Sequence, residues 1–405
     1  MKKTLAAVAV LGAFAGSALA ADVQLYGIVD TGVGYNHIDV GSAEGLPLGG
    51  DVLKDSDSFS MKSGQQSGSR FGFKGTEDLG NGLTVGFILE NQFDSDTGAL
   101  KNGLLFHRES SLFLQGNFGK LAFGRMGSIN NGTSSWGKIG MINAFGTSSW
   151  GGISAQVGNL MSTAGVWDNM ISYETPDFAG FKVFAQYGMG SNGNENESSS
   201  DRYYAVGATY NNGPIAAYFA VDSTNYQTGD LNNDFQNRHN VDDSLTVTLG
   251  GSYDFEVAKV YLGAQYFDEA KLSSIGGITN DVVGSFDLNH GTDFDSLTLG
   301  NALKLKGYGI SLTADAPVAG GKAMFGVGYV DADLADSIVD EGLGDGDLKR
   351  YIVSVGYDYP FSKRTDVYAV ASYSQDKIDL DTRLPVEGNL KFKTYSLYVG
   401  LRHKF

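Results

Sequence analysis

With no cysteine in 405 residues, bond-making chemistry would fall to histidine, serine and the carboxylates. The five histidines, His37, His107, His239, His290 and His403, are scattered, and no two have metal-ligand spacing on one strand face. An H-E-x-x-H pair, a G-x-S-x-G elbow, a phosphate loop and a dinucleotide fingerprint are all missing from the sequence. Ser110 or Ser111 near His107 comes closest to a nucleophile with its base, but a polar wall uses the same residues without a reaction. The chain therefore reads as a non-enzyme without a cofactor or a metal. What remains is fixed charge: Asp30, Arg70, Lys74, Glu90, Arg108, Glu109 and Lys138. Several of these alternate with apolar residues. Arg70, Gly72 and Lys74 oppose Phe71 and Phe73, and Gly86, Ile88 and Glu90 oppose Val85, Phe87 and Leu89. Gln24, Tyr26 and Asp30 share a face in the same way, whereas Arg108, Glu109 and Lys138 lie at or within long connections. Such charges act by their field across water.

The elements that must position them are strands. The last stretch, Lys391–Phe405, carries Tyr395, Leu397, Val399, Leu401, His403 and Phe405 on one face and Thr394, Ser396, Tyr398, Gly400, Arg402 and Lys404 on the other. A period of two puts these sets on opposite sides of a sheet. One side can face oil and the other water, up to a terminal aromatic. The same alternation recurs in about sixteen segments, an even number as bacterial single-chain barrels require. They run from Val23–Tyr35 through Gly68–Glu77, Gly82–Phe93, Phe106–Asn117 and Gly119–Met126 to Thr365–Gln375 and Lys391–Phe405. Connections alternate in length: short ones such as Asp78–Asn81, Pro176–Gly180 and Pro317–Gly320 are interleaved with long ones such as Asn36–Ser67, Asp94–Leu105 and Gly127–Trp167. Sorting by parity is the mark of a transmembrane β-barrel, with tight turns at one end and long loops at the other.

Composition agrees. Glycine (57) and aromatics (12%) are abundant and proline (6) is scarce, which suits many strands joined by tight turns. Residues 1–20 read as a cleaved signal peptide: a charged start at Lys2 and Lys3, an apolar run Leu5–Ala15 and small residues ending at Ala20. Residues 21–405 then form one exported barrel domain. No later run reaches the ~18 apolar residues of a spanning helix, and in lipid only a closed barrel leaves no unpaired edge. The formal charge is −17, or −19 once Lys2 and Lys3 are removed, which excludes a nucleic-acid partner on electrostatic grounds. Asp345 and Asp347 in the acidic Asp331–Asp347 run lack the regular oxygen ladder of a calcium loop. Gly127–Trp167 is different again. Its only charged residue is Lys138, and it holds Trp136, Trp150 and Trp167 with Met141, Ile142, Phe145 and Ile153. Such a loop is expected to pack against the inner wall.

At these residues the sequence resembles the general porins of beta-proteobacteria and Neisseria. The likeness runs through DVQLYGIVDTGVGY (Asp22–Tyr35), GSRFGFKGTEDLGNGLTVGFILE (Gly68–Glu90), GNFGKLAFGR (Gly116–Arg125), ISYETPDFAGFKVFAQYG (Ile171–Gly188), SYDFEVAKVYLGAQY (Ser252–Tyr266) and the closing VGLRHKF (Val399–Phe405). The resemblance implies a sixteen-stranded homotrimer in the outer membrane of a Gram-negative bacterium, with the third long loop folded into the pore. It implies that Arg70 and Arg108 line the constriction opposite that loop, and that Phe405 is read by the barrel-assembly machinery. Partners would be outer-membrane lipid and the small hydrophilic solutes and ions that pass. Loop charge is limited to Lys138, and acidic residues are missing from it, so a weak anion preference is expected. A substrate-specific channel and an adhesin or receptor acting through acidic loops are the alternative functions for this architecture; a lumen ladder of aromatics would favour the first, and Tyr26 and Tyr398 do not make one.

Overall fold

A computed structural model describes residues 23–44, 55–148, 154–190, 201–226, 242–271, 275, 304–336, 344–382 and 388–405. The segment 1–20, Trp150 and Ile153 lie outside the described residues. Among the described residues, seventeen strands make one antiparallel sheet. They are β1 (Gln24–Glu44), β2 (Ser56–Ser63), β3 (Arg70–Gly80), β4 (Leu83–Glu90), β5 (Glu109–Gly116), β6 (Gly119–Gly127), β7 (Val166–Glu174), β8 (Phe181–Gly188) and β9 (Arg202–Asn212). Then follow β10 (Ile215–Asn225), β11 (Ser244–Asp254), β12 (Lys259–Lys271), β13 (Lys304–Val318), β14 (Gly321–Leu334), β15 (Gly344–Pro360), β16 (Thr365–Thr382) and β17 (Gly388–Lys404). The sheet closes where β1 pairs with β17, from Ile28↔Lys404 to Glu44↔Asn389. Beyond the last rung, Gly27 and Phe405 exchange both backbone hydrogen bonds at 3.0 Å.

Seventeen strands occupy sixteen positions in the cylinder, because β2 and β3 share one. β2 pairs with the outer half of β1 (Thr31↔Ser63 to Ile38↔Ser56) and β3 with the inner half (Ile28↔Arg70 to Gln24↔Lys74). This corrects the reading of Asn36–Ser67 as a connection. The strand run SDSFSMKS alternates serine with mixed residues and is mostly exposed, so it carries no core-facing stripe. The ladder to β1, and not burial, makes it a strand. β16 continues to Thr382, beyond the apolar alternation that ends near Gln375, with Asp376 and Ile378 buried on its inner face. Asp345 and Asp347 likewise fall within β15, with Asp347 beside Lys349 at 3.2 Å.

Alternation sorts the two faces of the wall. Leu397 (52% exposed), Val399 and Leu401 point out, whereas Thr394, Ser396 and Tyr398 are buried on the inside. An apolar side chain half-exposed on every second position is poor in water and suits lipid. Aromatics bracket this band. Tyr308, Tyr329 and Tyr351 cluster at the long-loop end, with ring centroids 6.2 and 4.8 Å apart, and Tyr357, Tyr359 and Phe361 at the short-turn end. Tyr351 and Tyr359 are separated by eight residues of β15, about 26 Å of strand at ~3.3 Å per residue. That span matches a hydrocarbon band of ~25 Å between aromatic girdles.

The segment between β6 and β7 makes its contacts with inward-facing side chains. Ile129 N donates to Gln186 Oε1 (2.6 Å), Asn130 Nδ2 to the Asp222 carboxylate, and Tyr218 OH to Asn130 Oδ1 (2.5 Å). Farther along, Ala144 N donates to Thr313 Oγ1 and Ala155 N to Ser354 Oγ, both at 2.8 Å, and Gln265 Nε2 to Ser162 O at 3.0 Å. Phe145 is buried with Met324, Tyr368, Val370 and Tyr398. A single helical turn, Val157–Leu160, starts where the Gln156 side chain accepts from Gly158 N, a capping bond that meets one orphan amide. Two wall glycines make room for it. A Cβ on Gly309 would sit 1.7 Å from the Leu160 carbonyl oxygen, and one on Gly328 would sit 2.2 Å from Leu160 Cδ1.

One anchor is a buried ion pair. Arg350 donates through Nε and Nη2 to the two oxygens of Asp376 (2.6 and 2.9 Å) and through Nη1 to Asn159 O (3.2 Å). Both partners are essentially inaccessible. Removing one partner of such a pair leaves an uncompensated charge and costs about 3–5 kcal/mol. Arg350→Met should therefore lose about that much stability, and Arg350→Met combined with Asp376→Leu far less. Urea titration of protein refolded into liposomes reads the difference, and equal losses in the two variants would contradict the account.

Candidate functional site

Two clusters gather most of the charges singled out from the sequence. In the first, Glu90 at the end of β4 is the hub. Its Oε1 accepts from Arg108 Nε (2.5 Å) and lies 3.6 Å from Arg70 Nη1, and its Oε2 accepts from Tyr26 OH (3.0 Å). Arg70 opens β3 and Arg108 immediately precedes β5. Strand pairing Gly72↔Glu90 and Glu90↔Glu109 brings them together. Arg108 Nη1 also donates to Gln92 Oε1 (3.1 Å), while Arg70 Nε has no hydrogen-bond partner. Arg402 joins from β17. It donates to both oxygens of Asp366 (3.0–3.2 Å) and to Ser67 Oγ (2.8 Å).

These three arginines border one polar space of about 630 Å³. Its other lining comes from Gly64, Gln66, Ser67, Gly68 and Gln92 on the arginine side and from Thr133 and Asn143–Ser148 on the facing side. Among the described residues the guanidinium groups are the only charges that line it; they pair with Glu90, Asp366 and Asp358. Lys74 lies near this wall, exposed, with Nζ 5.2 Å from the centre of the Tyr26 ring.

The second group sits apart. Glu109 accepts from Ser111 Oγ (2.7 Å), Ser135 N (2.8 Å) and Ser135 Oγ (3.0 Å). Lys138 donates to Ser135 O (3.0 Å) and lies over the Phe184 ring, while Lys120 lies over Phe113 and Trp136 and Lys182 bonds Glu174 (2.7 Å). Burial holds the Lys138 ammonium below its ordinary range, with Glu174 opposing that shift. Beside Arg108, burial and the charges of Arg125, Arg108 and Lys101 hold His107 low in the same way.

Of the residues singled out from sequence, Arg70, Arg108 and Glu90 thus come together. Glu109 and Lys138 meet each other's neighbourhood through Ser135. Asp30 is wholly buried beneath residues 64–69 and meets no solute directly. Arg402 was on the inner face of the last strand by alternation but was not counted with the arginines. The signal was the parity of Tyr398, Gly400 and Arg402. Residues 64–69, GQQSGS, carry no periodicity that would single them out.

Comparison with known proteins follows the same lines. Residues 6–379 match the family described as Gram-negative porin. An outer membrane porin protein of Bordetella pertussis is 34% identical over 434 residues, covering all of both chains. An anion-selective porin from Comamonas acidovorans, 25% identical, superposes with a TM-score of 0.62 over 95% of this chain and 100% of that one. OmpT of Vibrio cholerae in its trimer form, 16% identical, shares the fold with a TM-score of 0.54 over 95% of this chain and 100% of its own.

Proposed function

This chain belongs to the Gram-negative porin family, and from that premise we propose how its channel selects what it passes. The channel itself is a water-filled path through the outer membrane for passive diffusion of small hydrophilic solutes and ions. Our reading is that the segment between β6 and β7 narrows this path, and that Arg70, Arg108 and Arg402 give it a weak preference for anions. One observation carries the reading: among the described residues, three guanidinium groups and no carboxylate line the 630 Å³ space. The net charge of the chain points the other way. Much of it lies at the long-loop end, where charges more than ~8–10 Å from a passing ion are screened in physiological saline. In a narrow space with low-dielectric walls the near charges dominate. The named anion selectivity of the Comamonas porin supports the same direction.

Replacing Arg70 and Arg108 by glutamine should move the zero-current potential in a salt gradient towards cation preference. Glu90→Gln should move it the opposite way, because Glu90 offsets both arginines. A clear cation preference of the unaltered protein would sink this reading. The same bilayer recording separates the alternatives, since an adhesin without a path gives no conductance steps.

We also infer a homotrimer, supported by the trimer form of the Vibrio protein. Leu25, Val29, Val33, Phe59 and Met61, exposed on β1 and β2, offer an apolar sector for neighbouring copies. Phe405 closes β17 on Gly27, and we assign it the role of assembly signal. Deleting it should lower the amount of folded, heat-modifiable trimer on a semi-native gel. Unchanged trimer would leave it as one more lipid-facing aromatic, and a wild-type protein running only as monomer would contradict the oligomer.

A further inference from the structure

Between Ile28 and Thr31 of β1, two residues face a gap that the neighbouring position fills with six, Gly64–Ser69. Six residues do not fit along two rungs of a ladder, so the chain must leave the sheet. It leaves inward. Gly64 N and Ser69 Oγ both donate to Asp30 O at 2.9 Å, and Asp30 N donates to Ser69 Oγ at 3.1 Å. The Asp30 carboxylate, fully buried, collects three donors: Gln66 N (3.0 Å), Ser67 N (2.7 Å) and Tyr368 OH (2.5 Å). Past this point Gln66 Nε2 reaches Asp358 Oδ2 on β15 at 2.7 Å, and Arg402 Nη1 donates to Ser67 Oγ. The segment thus forms a shelf across the inner face of β17 and β16, and it lines the 630 Å³ space opposite Asn143–Ser148.

We propose that the shelf 64–69 is a second jaw of the constriction, and that Asp30 is the positioning residue that holds it in the channel. The inference rests on the reading of this space as the narrow part of the path. Chemistry explains the choice of aspartate. Two successive backbone amides and a phenol converge on one carboxylate, and bonds to an ionised acceptor are about twice as strong as neutral ones. Asparagine has the same shape but replaces one acceptor oxygen by a donor, so one of the three incoming hydrogens loses its partner. Without the anchor the shelf keeps its six residues and moves within the water-filled lumen.

Single-channel recording on the full-length protein in planar bilayers tests this. Shortening residues 64–69 to two should raise the conductance and let larger sugars through in liposome swelling. Because the chain has no cysteine, Gln66→Cys gives a unique thiol, and a sulfonate-bearing methanethiosulfonate should then lower the current stepwise. Asp30→Asn and Asp30→Ala, assembled as wild type by heat-modifiability, should show greater open-channel noise. Complete thiol labelling by mass with unchanged current, or a shortened shelf with unchanged conductance and exclusion limit, would overturn the second jaw. Wild-type noise in both Asp30 variants would overturn the role of Asp30. Should Asp30→Ala not assemble, Tyr368→Phe removes one of the three donors, and the same rise in noise is expected. Its absence there and in Asp30→Asn overturns the role. The potential shift of the Arg70 and Arg108 variants does not depend on the shelf. If that shift is also absent, the constriction has been placed wrongly; if it is present while the shelf tests fail, only the shelf inference falls.

Discussion

In hydrocarbon, an amide without a partner costs several kcal/mol, and this constraint stands behind every other feature of the molecule. It forbids an edge, so β1 must meet β17, and the two ends of the chain are drawn to the same rung at Gly27 and Phe405. Closure in turn divides all side chains into two populations. Outward positions are free of charge through the middle of the band because a lysine or arginine there would cost ~2–4 kcal/mol. Inward positions inherit the charges for the same reason. The grouping of Arg70, Arg108, Glu90 and Arg402 is thus first a consequence of lipid outside, and only then a device for ions inside.

A cylinder of this size has an interior too wide for wall side chains to fill. Described residues of the segment between β6 and β7 bond side chains of its inner face. Its fastening is polar at nearly every step: Gln186, Asp222, Thr313, Ser354, Gln265 and Arg350 each hold a backbone or side-chain group. Apolar contacts at Ile139, Ile142, Phe145 and Leu160 add burial between these points. Withdrawing the segment would exchange these hydrogen bonds for bonds to water and expose the apolar contacts again, so burial at Ile139, Ile142, Phe145 and Leu160 is the larger part of what holds it in place.

Much of the architecture was legible in alternation. The two faces of Lys391–Phe405 and the inward positions Asp30, Arg70 and Glu90 follow from a period of two, as does the parity of long and short connections. What alternation does not reach is strand outside the lipid. There the ladder to β1 holds β2, and the far end of β16 turns Asp376 and Ile378 inward, a charge and an isoleucine that make no apolar stripe. The shelf at 64–69 is hidden for a related reason. A run of Gly, Gln and Ser looks like any solvated turn, and its position is dictated by Asp30, thirty-odd residues earlier in the chain. Arg402 was on the right face, but its meeting with Arg70 and Arg108 depends on closure of the barrel, which joins residues far apart in sequence.

The bare backbone of Gly309 and Gly328 under Leu160 bears on how such a chain can change over generations. A side chain at Gly309 would overlap the peptide of the helical turn itself, and one at Gly328 its leucine. Wall and inner segment are cast as mould and casting, so neither can drift alone. A transplanted segment from a distant relative would bring a helical turn whose hollows lie elsewhere. Divergence in this region must therefore proceed by paired steps across strands β13 and β14.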